Sequence, residues 1–356
     1  MTTIRVCHSL SELDEAEYAV LRTKCATPVF YDWRFLQAAE RSPLLPVEKT
    51  FYLVGHEGGR LVAFMPAYLQ SSADPFGVLS RTTPMKMARE ARGLFSHIMH
   101  CSESTILSLA GSRELRSRML EQLRDLALEV GASYYGVLNV VDPDLLSCAR
   151  EMNLEVNYMW DRFTLELAGL EGTADLMARL PADGRRELRR QLRKFEVSGA
   201  EAIVERPPFH DFEEVARLCN QTTTKNGTPE YYPIRQMIDF ITACSELVRL
   251  VSIKKGGERV GTLICFEQDG ALHTWAAGMV YDKTEFSPYT LAFWTAFRYA
   301  LEARLRVVEG GRTTAKIKQR LGFSPRPLYS IVSQTSFNES FRQDMTGFEK
   351  VRNDPR

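Results

Sequence analysis

The chain has 356 residues, of which 44% are hydrophobic and 25% charged, material for two domain cores of common size or one large one. Lysine plus arginine and aspartate plus glutamate each total 45, so no global positive field draws nucleic acid to it and any polyanion site has to be local. No apolar run approaches the roughly eighteen residues of a spanning helix.

The opening stretch MTTIRVCHSLSELDEAEY lacks the apolar centre of a secretory signal, and a cytoplasmic protein is the expectation. Phe51 to Gln70, FYLVGHEGGRLVAFMPAYLQ, reads as a strand, a Gly-Gly turn and a strand. Strand candidates LFSHIMH and ILSLAG follow. A helix then runs from Ser112 as N-cap to Val130, with Leu115, Met119, Leu123, Leu126 and Val130 on one face and Gly131 at its end. Next come the strand YYGVLNVV, a short helix, and VNYMWDRFTLEL.

TADLMARLPADGRRELRRQLRKFEVSG contains a helix with sorted charges. At about 100° per residue, Arg185, Arg186, Arg189, Arg190, Arg193 and Lys194 share half of the wheel, opposite Leu188, Leu192 and Phe195. This face is either a local polyanion site or a solvated surface. Asp211 and Glu214 offer a capping-box-like start to FEEVARLCNQTTTKNG, closed by Gly227, and a further helix begins near Pro233. Arg249 to Gln268, RLVSIKKGGERVGTLICFEQ, repeats the first hairpin, with its glycines at 256 and 257. LHTWAAGM follows, then a helix opening at Ser287-Pro288 with Leu291, Trp294, Phe297 and Leu301 as its buried stripe. LRVVEGG, a cationic crossing and the strand PLYSIVSQ complete the pattern, and SFNESFRQDMTGFEKVRNDPR reads as a small helix and tail.

Hairpin, strand, helix, strand, crossing, strand therefore occurs twice. The expected fold is α/β, a tandem duplication in which each domain is a mixed and mostly antiparallel sheet flanked by helices. The expected limits are 1–168 for the first domain, 169–199 for a linking basic helix, 200–340 for the second domain and 341–356 for a tail. The seven cysteines form no CxxC pair and are odd in number, as expected of reduced thiols.

No GxSxG, HExxH, GxGxxG or GxxxxGK[ST] motif is present. His97 and His100 form an HxxH, which on a strand would send the two rings to opposite faces, and no metal site is expected. Direct transfer between a bound donor and a bound amine remains open, since it needs only positioning, oxyanion donors and a base.

Four stretches carry a resemblance: the Arg-rich helix followed by Gly199; TTTKNGTPEYY; the second hairpin running into HTWAAG; and VVEGGRTTAKIKQRLGFSPRPLYS. From Arg185 to Val332 the chain resembles the C-terminal acyltransferase domain of the Fem-type peptidoglycan-bridge transferases and their FemAB-like relatives, within the wider GNAT-like group. The first half resembles them by plan alone, and no coiled-coil arm is inserted between the halves. The resemblance implies transfer of an aminoacyl group from aminoacyl-tRNA to an amine or hydroxyl, with charged tRNA as partner, no resident cofactor, and a small molecule or muropeptide as acceptor. The [QR]xxGx[GA] loop with which ordinary GNAT enzymes cradle the CoA pyrophosphate is not found in AGMVYDKTEFSPYTL or LAGSRELRSR. Acyl-CoA or an acyl carrier protein remains the alternative donor, and a non-catalytic GNAT-like binding scaffold the alternative class.

On the family pattern Lys318 holds the lysine position and Gly322-Phe323 the Gly-aromatic position. Lys318 is the expected catalytic cation, with Lys316 a bystander. Glu309, at the strand end, is a candidate base or a salt-bridge partner of Arg312. Arg312, Arg186, Arg189 and Arg193 are candidates for the anionic donor. His273 and Trp275, two apart on one strand, would stack or orient it, or belong to the core. Lys225, Tyr231 and Tyr232 flank a loop beside the acceptor. Tyr52, Tyr68 and Arg81 are the candidates of the first half, with Tyr52 assigned to the acceptor.

Overall fold

A computed structural model describes residues 2–25, 27–88, 90–97, 100–109 and 113–335. The first half runs β1 (Thr2–Cys7), α1 (Glu15–Cys25), α2 (Trp33–Arg41), the hairpin β2 (Val47–Glu57) and β3 (Arg60–Gln70), and the single turn α3 (Leu79–Thr82). It continues with β4 (Gly93–Ser96), β5 (Leu107–Ser108), α4 (Arg113–Glu129), β6 (Tyr134–Val140), α5 (Pro143–Glu151) and β7 (Val156–Glu166). After α6 (Thr173–Arg179) and α7 (Ala182–Val197) come β8 (Glu201–Glu205), α8 (Phe212–Lys225) and α9 (Ile234–Ala243). The hairpin β9 (Val248–Lys255) and β10 (Glu258–Gln268), β11 (Ala271–Met279), α10 (Pro288–Glu302), β12 (Val307–Glu309), α11 (Ala315–Arg320) and β13 (Ser324–Gln334) follow. With α3, β5, α6 and α7 set aside, the order βααβββαβαβ occurs twice.

The two hairpins turn alike. Gly58 and Gly59 have φ of 56° and 78°, and Gly256 and Gly257 have φ of 59° and 83°. Two consecutive left-handed residues make the type I′ turn that matches strand twist, which explains the repeated Gly-Gly.

The described residues divide into two compact units, one within 2–25, 46–159 and 329–335, the other 27–45 with 160–328. In unit 1 the strands lie in the order β1-β2-β3-β4-β6-β13, and in unit 2 in the order β8-β9-β10-β11-β12-β7. The pairings are antiparallel except β4 with β6 and β11 with β12, which are parallel. Each unit's fold is thus completed by the closing strand of the other half. Residues Tyr329 to Gln334 of β13 pair with β6, while Thr164, Leu165 and Glu166 of β7 pair with β12.

The linear limits at 168 and 200 therefore differ from the observed units. The open edges of β6 and β12 need an antiparallel partner for their backbone groups, and sequence order does not say which half supplies it. The basic helix is no linker either. Leu188 of α7 is buried in the unit 2 core, with Leu192 and Phe195 against it. Gly184 lets α7 approach α11 so closely that an added Cβ would lie 1.9 Å from the Arg320 carbonyl oxygen. Residues 27–45 also belong to unit 2, where Phe35 packs edge-on against Phe240 at 5.1 Å and Phe266 at 5.4 Å.

Several local expectations changed. The α10 helix is buried on almost every side rather than along one stripe, as befits the helix at the centre of a core. Asp211 caps α8 by position alone, because Glu214 is drawn to Arg259 at 3.2 Å instead of back to the cap. Strand β4 stops at Ser96, and His97 turns left-handed with φ of 52°, so the HxxH does not lie on a strand. Ser112 and the segment 336–356 fall outside the described residues. All seven cysteines are free, six of them buried. Among the described residues no helix is long and apolar enough to cross a membrane.

Candidate active site

The site in unit 2 follows from where a strand pair comes apart. Parallel pairing of β11 with β12 ends at His273 opposite Glu309. Beyond that point Thr274 to Met279 keep β10 on one side, so alternate backbone groups on the other side face an opening. A register shift at Ile264/Cys265 leaves Trp275 as the extra residue of β11 at this place. The opening is a cavity of about 200 Å³.

Its walls are set by specific contacts. Gly278 brings α8 onto β11, since a Cβ there would lie 2.7 Å from the Cys219 backbone nitrogen. That approach lets Thr222 accept a hydrogen bond from the Met279 N–H at 2.9 Å, and Thr222, Thr223 and Asn226 line the cavity from α8 and its end. The Tyr232 hydroxyl donates to the Trp275 carbonyl at 3.2 Å. Burial pushes the Tyr232 phenol well above its ordinary range, keeping it a neutral donor. From α10, Tyr289 and Phe293 face the cavity, and the Tyr289 and Thr314 hydroxyls are 2.6 Å apart.

Gly310 to Thr314 form the remaining wall. Gly311, Thr313 and Thr314 have φ of 65°, 64° and 51°, a left-handed turn in which two positions are not glycine. It aims the short α11 so that Lys318 points inward. The Lys318 side chain is 2% exposed and donates to the Arg312 carbonyl, with its nitrogen 5.5 Å from the Phe163 ring centroid. Burial, aided by the Arg312 charge, lowers its pKa from 10.5 to about 7. Arg312 itself lies over the Trp160 ring at 4.4 Å and donates to the Tyr231 hydroxyl at 2.9 Å. These contacts fix its guanidinium at the cavity.

The structure thus brings Lys318, Arg312 and Trp275 together, with Tyr231 behind Arg312. Glu309 does not line the cavity, and its carboxylate is 3.5 Å from Arg162 rather than paired with Arg312. His273 is buried against Phe30 at 5.8 Å. Desolvation, with the charge of Arg162, holds its pKa near 3, so it stays neutral across the physiological range. His273 and Trp275 meet one aromatic cluster, but only Trp275, which stacks on Phe240 at 5.7 Å, reaches the cavity. Lys225 is exposed at the end of α8, 5.9 Å from the Tyr281 ring, and Lys316 is exposed on α11. Tyr52 is fully buried in unit 1, stacked on Phe64 at 5.7 Å, and is a core residue. Its alternation on a hairpin strand had hidden a position buried on both faces. Tyr68 is buried as well.

On α7 the six cations separate. Arg190 pairs with Glu187 at 2.6 Å, Arg185 donates to the Ala178 carbonyl at 3.0 Å, and Lys194 donates to the Glu285 carbonyl at 2.8 Å. Arg186, Arg189 and Arg193 stay exposed, without a partner among the described residues. They lie at i, i+3 and i+7, a single outward stripe.

Sequence reasoning missed Thr222, Tyr289, Thr314 and Trp160. Only the threonine run TTTK beside an aromatic pair hinted at the first. Among the described residues no cluster of His, Cys, Asp and Glu could hold a metal ion.

The acetyltransferase (GNAT) domain family matches residues 182–319. No curated protein matches the chain by sequence. Among solved structures, FemX superposes with a TM-score of 0.64 at 9% identity, covering 95% of this chain and 99% of that one. A tandem GNAT protein from the clavulanic acid biosynthesis pathway, solved without AcCoA, gives 0.58 at 13% identity, covering 94% and 99%. L-PGS from Bacillus licheniformis gives 0.55 at 10% identity, covering 95% and 96%. The chain therefore has the tandem GNAT fold, like FemX, and its match to the acetyltransferase (GNAT) domain family lies in the second half, over residues 182–319.

Proposed function

We propose that this tandem GNAT protein is an aminoacyltransferase that moves an aminoacyl group from charged tRNA to an amine, on a small molecule or a peptidoglycan precursor. The observation that carries the reading is Lys318, a buried amine inside the cavity where β11 and β12 part.

In the step proposed, the acceptor nitrogen attacks the ester carbonyl carbon of the donor and a C–N bond forms. The carbonyl electron pair moves onto oxygen, then returns as the C–O bond to the terminal ribose breaks. Lys318 in its neutral form takes the proton lost by the nitrogen and delivers it to the departing ribose oxygen. Arg312 and the backbone N–H groups along the opened edge of β11 supply positive charge to the oxyanion. Glu309 keeps Arg162 in place and acts behind the site.

Two features support tRNA over CoA. Arg186, Arg189 and Arg193 offer an exposed basic stripe suited to a phosphate backbone. The start of α10, where a pyrophosphate would be cradled, is largely occupied by the protein's own groups. Pro288 has no N–H, the Ser287 N–H is taken by Gln191 at 2.7 Å, and the Thr290 N–H by the Ser287 hydroxyl at 3.3 Å. An acyl-CoA donor is the second reading, favoured by the match to the acetyltransferase family.

Equilibrium binding to charged tRNA, the same tRNA deacylated, and acetyl-CoA tests the choice. The expected result is tightest binding to charged tRNA. Binding to acetyl-CoA alone would replace this donor with a thioester, and binding to none of the three would favour a scaffold.

A further inference from the structure

We propose that the unit 2 cavity selects an uncharged, apolar or aromatic acyl side chain and rejects a cationic one; the inference rests on the acyl-transfer reading above. Size comes first. At about 200 Å³, the cavity falls below the roughly 300–1,000 Å³ of sites that enclose a drug-sized ligand. It has room for one amino-acid side chain, with the carbonyl and the α-amino group at its mouth and the rest of the donor outside.

The lining decides the chemistry. Strands β10 and β11 contribute Leu263, Ala276, Ala277 and Met279, and α10 contributes the ring of Phe293. Trp275 is held in place by Phe240 and Phe266, at 5.7 and 5.4 Å, and so presents a fixed apolar face. Only Arg312 and Lys318 bring formal charge, both positive in their protonated forms, and none of the described lining residues is Asp or Glu. The nearby carboxylate of Glu309 is engaged by Arg162 at 3.5 Å. An ammonium entering this space would leave water for a chamber that already holds a guanidinium and offers no counter-ion. An alkyl or aromatic group of the same length loses only unfavourable contact with water.

The test uses isosteres on two carriers. Norleucyl, phenylalanyl and lysyl groups are attached through a stable amide to 3′-amino-3′-deoxyadenosine, and hexanoyl, 3-phenylpropionyl and 6-aminohexanoyl groups to CoA. Binding of each to the intact protein is measured by calorimetry at one pH and ionic strength. On whichever carrier binds, the apolar and aromatic members are expected to bind about 100-fold or more tightly than the ammonium-bearing isostere. The order of carriers bears on the donor and the order of side chains on the cavity, so the two readings fail separately. Equal or tighter binding of the lysyl or 6-aminohexanoyl member would overturn the inference, as would failure of every member on both carriers. Ala277→Asp, at a half-buried lining position, is expected to narrow the gap at least tenfold by giving the ammonium a partner. An unchanged gap in a folded Ala277→Asp protein would remove the acyl group from this cavity.

Discussion

Replacing Lys318 tests the proposed chemistry and its physical basis together. Its pKa falls from 10.5 to about 7, chiefly through burial and secondarily through the Arg312 charge. Holding the ammonium in the fold therefore costs roughly 5 kcal/mol relative to water, an upper figure because a folded protein relaxes around such a charge. The folded pKa lies below the unfolded one, so between about pH 7 and 10.5 the unfolded chain binds more protons and stability rises with pH. The penalty is complete below pH 7 and gone above 10.5. Lys318→Met should accordingly be more stable than the parent at pH 6, by a few kcal/mol in urea titrations, and the gain should shrink steadily towards pH 10. Turnover should move the other way. With a general base worth about 10²–10⁴-fold, Lys318→Met and Lys318→Arg should lose at least 100-fold in kcat/KM. The parent's rate should climb through an inflection near pH 7 that is missing from both variants, whatever the acceptor's own titration adds. A parent profile with no inflection near 7, or an active Lys318→Arg enzyme, would refute the base assignment. A stability difference that does not vary with pH would refute the electrostatic argument beneath it.

Reversing Arg186, Arg189 and Arg193 to Glu should weaken tRNA binding and reduce the slope of log K against log salt by about 2–3 in magnitude, while binding of a small aminoacyl-adenosine analogue stays unchanged; filter binding over a salt series reads both. Tyr232→Phe removes the donor to the Trp275 carbonyl and should cost about 1 kcal/mol of stability, together with a rise in KM as the cavity wall loosens, measured by denaturation and steady-state kinetics. Gly184→Ala would drive a methyl into the Arg320 carbonyl and should destabilise unit 2 by roughly 1–3 kcal/mol, seen as a lower urea midpoint. A midpoint equal to the parent's would mean that α7 and α11 can separate freely.

Local chemistry made much of the protein legible in the sequence. Paired glycines needing two left-handed residues announced both hairpins, Ser287-Pro288 announced the start of α10, and the period of Leu188, Leu192 and Phe195 separated the buried face of α7 from its cations. These signals span at most a few turns, where spacing alone dictates which side chains share a face. The repeated order of elements followed from them, and with it the tandem fold. The prominence of Lys318 came from its place in a recognisable closing pattern.

What the tertiary structure decided were the pairings between residues far apart in the chain. It exchanged the closing strands β7 and β13, because an open strand edge is satisfied by any antiparallel neighbour, whichever half encodes it. Burial withdrew Tyr52 and His273 from the site, and Glu309 went to Arg162, a partner 147 residues away that no spacing rule could name. Thr222, Tyr289 and Thr314 entered because α8, α10 and the turn before α11 converge on one opening, and Trp160 because it lies under Arg312. The charge of Lys318 was decided there too: a lysine reads the same on a surface or in a core, and only the exclusion of water around it sets its affinity for a proton.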